Sequence, residues 1–114
     1  MRTMRFTQET ARPIAHHDSE GFALSRLVRG TLDLHAHFCY LAPRGRIGRH
    51  EAASEQLLLV VDGEAVVRGG DGEEARLGAG EAVLFAPGEM HETVSESGMR
   101  ALIMEADGIS GVLG

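Results

Sequence analysis

The sequence contains no lysine, no asparagine and no tryptophan, and a single cysteine, Cys39. All eleven basic side chains are arginine, which excludes catalysis through a lysine Schiff base. One cysteine cannot form an internal disulfide, so a reducing, cytoplasmic home is the natural expectation. The opening stretch MRTMRFTQETAR lacks the apolar core of a signal peptide, and no apolar run approaches a membrane span. Basic charge is scarce too: 17 acidic side chains against 11 arginines leave a net charge of −6. An acidic chain without a basic stripe argues against nucleic acid and against an anionic membrane as partners. Nor does any segment sustain a 3.6-residue apolar period long enough for a helix.

What remains is a chain of 114 residues, enough for one core and one domain. Short apolar or alternating runs fill it, at residues 22–30, 31–42, 56–63, 64–70, 74–80, 81–88 and 99–106, each bounded by Gly, Pro or Asp-Gly. Asp62-Gly63 and Asp71-Gly72 read as hairpin turns, because glycine tolerates the positive φ of tight turns. Many short strands with close punctuation predict an all-β sandwich or closed barrel over residues 21–114. Residues 1–20 are more polar, with Pro13 and the pair His16-His17, and read as an arm or an added edge strand. A barrel this small has edges to cover, so a homodimer is expected, with the arm crossing to the partner's sheet.

Two stretches carry the chemistry. One runs GRIGRHEAASEQLLLVVDG from Gly45 to Gly63, the other GEAVLFAPGEMH from Gly80 to His91. Together they resemble the two signature motifs of the cupin superfamily, over roughly residues 31–106. On that resemblance His50 takes the first histidine position, Gln56 the third ligand position and His91 the histidine of the second motif. Ala52 stands where a second histidine is usual, Ala86 replaces the usual proline beside Pro87, and Ser95 sits where asparagine is common. The resemblance implies a small jelly-roll barrel with a divalent metal near its mouth, in a family with catalytic and non-catalytic members.

The residues themselves point the same way. If residues 50–60 form one extended strand, His50, Ala52, Gln56, Leu58 and Val60 share a face, and Glu55 lies on the other. A bulge would swing Glu55 inward instead. Two imidazoles and an amide oxygen make a neutral donor set for a borderline divalent ion, with Mn, Fe, Ni, Zn and Cu all open, and with coordination positions to spare. His35 and His37 share one face of their strand and are candidates for the ligand missing at position 52, or are simply exposed. Leu34, Ala36, Phe38 and Tyr40 make the opposite face look more core-like. Cys39 reads as a small buried hydrophobe, and His16-His17 as a solvated pair. Glu89 and Glu92 flank His91 as rim charges or as partners orienting its ring. Arg44, Arg46 and Arg49 are either solvated or a clamp for an anionic carboxylate or phosphate.

Three functional classes follow: a metal-dependent enzyme acting on a small organic acid, sugar derivative or diketone; a non-catalytic module that binds or senses a small ligand; and a structural dimer. No residue names the catalytic acid or base.

Overall fold

Ten strands and three single turns of 3-10 helix account for the regular structure, with no α-helix, in the computed structural model, which describes residues 1–114. The strands are β1 (Arg2–Arg5), β2 (Arg12–Ile14), β3 (Phe22–Leu24), β4 (His35–Leu41), β5 (Gly45–Glu51), β6 (Gln56–Arg68), β7 (Glu74–Gly78), β8 (Glu81–Phe85), β9 (Met90–Ser95) and β10 (Met99–Glu105). All pairings are antiparallel. One sheet runs β1-β8-β6-β10-β4 and the other β5-β9-β6-β7, with β2 and β3 forming a separate ribbon.

The thirteen-residue strand β6 belongs to both sheets. The sequence predicts a hairpin at Asp62-Gly63, and the structure corrects this: the chain continues without reversing. A register shift opposite Arg100 and Ala101 leaves Val61 unpaired, and Gly63 follows at φ +84°. A bulge and a glycine let a strand turn the corner between sheets. Any side chain at Gly63 would collide with the Gly98 carbonyl, so only glycine fits there. The expected turn at Asp71-Gly72 does form, between β6 and β7.

Other boundaries also move. Residues 25–34, expected as strand, are irregular apart from a bridge between Val28 and Leu113. Gly45–Glu51 and Met90–Ser95, absent from the expected strands, pair with each other. Residues 50–60 are not one strand, because the chain breaks at 52–55 and passes from the second sheet to the first.

The interior lies between the two sheets. Leu58, Val60, Ala65, Val67, Leu77, Val83, Phe85, Met99 and Ala101 fill it, together with Ala52. Removing a side chain such as Phe85 from water contributes about 1.5–3 kcal/mol. The outer face of the first sheet is also covered, by Met4, Phe6, Leu27, Val28, Leu32, Ile109 and Leu113 against Leu57, Leu59, Leu84 and Met104. This double burial explains why residues 57–60 read as an unbroken apolar run rather than an alternating one, whereas Val61, at the register shift, is exposed. Strand β1 pairs with β8 of its own chain, so the N-terminal segment adds an edge strand to its own sheet.

Candidate metal and ligand site

Strands β5 and β9 set His50 directly opposite His91, with ring centroids 4.3 Å apart. The β9 pattern buries every second residue, placing His91, Thr93 and Ser95 inside. His91 is 2% exposed and stacks on Phe85 at 4.1 Å between centroids. His50 lies toward solvent.

Both imidazoles are anchored in the same way. His50 Nδ1 lies 2.7 Å from the Gly48 carbonyl oxygen, and His91 Nδ1 lies 3.0 Å from that of Glu89. A carbonyl can only accept, so each Nδ1 carries the hydrogen, and in the neutral ring Nε2 keeps a free lone pair. Metal-binding histidines are commonly fixed by just such a bond from the other nitrogen. Burial pushes the His91 pKa below its ordinary value. The Glu89 carbonyl opposes that shift, and the nearby His50 adds to it. A neutral ring is the form that ligates.

Gln56 is 8% exposed and comes from the other sheet, where it pairs with Phe85 on one side and Glu105 on the other. Its Nε2 donates to Glu105 Oε1 at 2.9 Å. With the nitrogen committed, the amide oxygen Oε1 is the end left for a metal or a ligand donor. Gln56 shares its inward face with Leu58 and Val60, as expected, but the count from His50 along a single strand does not explain this. The two residues stand on opposite sheets, and each faces in from its own.

Glu55 is used elsewhere. Its carboxylate accepts the backbone N–H groups of Gly108 (3.2 Å) and Ser110 (3.0 Å), and the Ser110 side chain foremost, with these N–H groups, holds its pKa below the usual carboxylate value. Ala52 is 2% exposed and packs in the core cluster with Phe85 and Leu58, so the position of the usual second histidine is apolar floor.

His35 and His37 lie on the same face of β4 as Cys39 and Leu41, which pack on the core. That face is therefore the inward one, although both histidines are exposed near its end, and the apolar-looking face with Leu34, Phe38 and Tyr40 is the exposed one. His35 stands across from Glu105, completing a row His35–Glu105–Gln56–Phe85 over four strands. No three His, Cys, Asp or Glu side chains are grouped so that they could hold a metal.

Two residues went unrecognised in the sequence, Glu105 and Thr93. Glu105 sits six residues past Met99 in an apolar strand, and only its pairing with Gln56 gives it a role. Thr93 Oγ1 is buried with no hydrogen-bond partner from the chain, one inward step along β9 from His91. A buried hydroxyl of this kind calls for a water or a ligand atom. Glu89 orients His91 through its backbone carbonyl, while its carboxylate accepts from the Ala86 N–H at 3.0 Å. Glu92 faces outward and pairs with Arg68 at 3.0 Å. Arg44 and Arg46 line a groove on the outer face of the second sheet rather than the mouth.

The description "Cupin domain" fits residues 37–105, which is more than half of the chain. The chain belongs to the cupin family. Among solved structures, this cupin is similar to a cupin superfamily protein from Desulfitobacterium hafniense DCB-2, at 18% identity and a TM-score of 0.62, covering 94% of this chain and 99% of that one. It is also similar to an RmlC-like cupin from Shewanella frigidimarina NCIMB 400, at 20% identity, TM-score 0.62, and 79% and 93% coverage. A chain from a study of DMSP lyases matches at 22% identity and TM-score 0.62, over 71% of this chain and 42% of that one. At such identities the likeness carries the jelly-roll fold alone. Among curated proteins, none matches this cupin by sequence. No helix is long and apolar enough to cross a membrane.

Proposed function

We propose that this cupin holds a divalent metal at the barrel mouth through His50 Nε2, His91 Nε2 and Gln56 Oε1, and there binds a small organic molecule. The observation that carries the proposal is the His50–His91 pair, 4.3 Å between rings, with both Nδ1 atoms tied to backbone carbonyls. The donor set is neutral and borderline in softness, which suits Mn, Fe, Ni, Zn or Cu. A bound ion would supply Lewis acidity or a site for dioxygen. Within this frame Glu105 orients the Gln56 amide, Phe85 walls the His91 ring, and Thr93 offers a hydroxyl to the ligand. The enzyme reading takes a small organic acid, sugar derivative or diketone as substrate.

A second reading, a non-catalytic module that binds or senses a small ligand, draws on Ala52. An apolar floor in place of a third imidazole leaves a weaker metal site and more room for ligand. The lone Cys39 supports a cytoplasmic setting in either case, and residues 21–114 serve as the barrel, with residues 1–20 as its edging arm.

Elemental analysis of protein purified without an affinity tag, followed by calorimetric titration with Mn, Fe, Ni, Zn and Cu ions, tests the proposal. One metal per chain, lost in His50→Ala and His91→Ala, is the expected result. Folded protein that takes up no divalent ion overturns the metal site and leaves the binding module.

A further inference from the structure

The outer face of the second sheet bears a groove of about 750 Å³, lined by Arg44, Arg46, Arg76, Val66, Val94 and Glu64 among others. Its floor is one cross-strand row. Arg46 pairs with Val94, Val94 with Val66, and Val66 with Arg76, so two arginines bracket two valines over four strands. Adjacent strands lie about 4.8 Å apart, which puts the two arginine Cα atoms roughly 14 Å apart. Both side chains are long and flexible enough to lean over the valines from their ends.

None of the three guanidiniums has a carboxylate partner: the protein's arginine ion pairs are made by Arg5 and Arg68 alone. The nearer carboxylate, Glu64, is already committed. Its Oε1 accepts from Ser95 Oγ, Ser97 Oγ and the N–H groups of Glu96 and Ser97. Those donors hold its pKa below the usual value and spread its charge into the turn. Glu96 remains at the rim. Three cations against two carboxylates leave the groove net positive on a chain of net charge −6. Arg44 is held at φ +63°, a left-handed backbone that a non-glycine residue adopts at a cost, with its N–H bonded to the Glu96 carbonyl at 3.0 Å.

We propose that this groove is a second ligand site, distinct from the barrel mouth, for a small dicarboxylate with an apolar body. Arg46 and Arg76 each take one carboxylate in a two-pronged contact, the hydrocarbon spacer rests on Val66 and Val94, and Arg44 closes the near end. Guanidinium is the group suited to this, because its planar fork matches a carboxylate edge. Two charged contacts at fixed separation select for spacer length, and the valine floor selects against hydrophilic spacers. The site does not depend on metal at the mouth.

Calorimetric titration of the full chain with isophthalate tests it, with benzoate as the single-carboxylate comparison. Isophthalate should bind once per chain, more tightly than benzoate and more weakly as salt rises. Arg46→Ala and Arg76→Ala should each weaken isophthalate about tenfold or more and bring it level with benzoate. Arg46→Lys should recover only part of the loss, and Arg49→Ala, on the same strand but outside the groove, should change nothing. Absence of saturable binding overturns the proposal. So does binding indifferent to Arg46 and Arg76, or binding lost instead in His50→Ala, which would move the ligand to the mouth.

Discussion

Glu105 takes the Gln56 amide nitrogen across the β6–β10 ladder at 2.9 Å, and this fixes which end of the carboxamide the mouth receives. Gln56→Ala should therefore lower divalent-metal affinity on the order of tenfold or more. Glu105→Ala should cause a smaller loss, because the amide becomes free to flip. Glu55→Ala should leave metal affinity unchanged and lower the melting temperature, since it uncaps Gly108 and Ser110. Metal titration beside thermal melts of the three variants reads both effects. A large affinity loss at Glu55 with none at Gln56 would overturn the assignment.

Ala52→His restores the imidazole that the cupin pattern expects. If the ring reaches the mouth, metal affinity should rise by about tenfold or more, the scale of losses when a ligand's support is removed. Its present burial among Leu58 and Phe85 means a fold cost of about 1–3 kcal/mol for overpacking. Calorimetry paired with a denaturant melt separates gain from cost. Unchanged affinity in a folded variant would show that position 52 points past the site.

How much of this was legible beforehand depends on which face each strand buries. The apolar strands β6, β8 and β10 announce themselves, and the two motifs bring His50, Gln56 and His91 into view. Strands β5 and β9 stay hidden because their sequences, GRIGRHE and MHETVS, lack apolar alternation: β9 buries His91, Thr93 and Ser95. Asp62-Gly63 misleads because the same glycine freedom that closes a hairpin also bends a strand from one sheet into the next. Polarity misleads on β4, whose apolar face is the exposed one. Glu105 has no local signal at all, since its partner lies 49 residues away.

Acid should weaken the protein through His91. Burial lowers its pKa below 6.5, so the native state resists the proton while the unfolded chain accepts it. The associated stability is complete above the unfolded pKa and is lost as pH falls below it toward the lowered native value. Melting temperatures followed from neutral pH down to about pH 5 should decline, and less steeply in His91→Gln than in the parent. Parallel slopes would remove His91 as the cause.

The homodimer expected from the sequence has a candidate surface. The first sheet has two edges, β1 and β4, and the β4 edge is the more apolar, with Phe38 62% and Tyr40 71% exposed. Two β4 edges related by a two-fold axis would pair antiparallel and cover these side chains. Light scattering should give a dimer for the parent and a monomer for Phe38→Glu/Tyr40→Glu. A monomeric parent ends the idea.

Because β6 runs through the middle of both sheets, with its two halves joined at one corner, opening either sheet should loosen the strand on which the other is built. One cooperative unit is therefore expected where two stacked layers would suggest two. Amide exchange along β6 should report the same opening free energy before and after the Gly63 corner, equal to that of global unfolding. The β2–β3 ribbon, which shares no ladder with either sheet, should exchange far sooner. On this expectation the corner that steers the chain from one sheet to the other would also bind the two halves of the barrel into a single thermodynamic body.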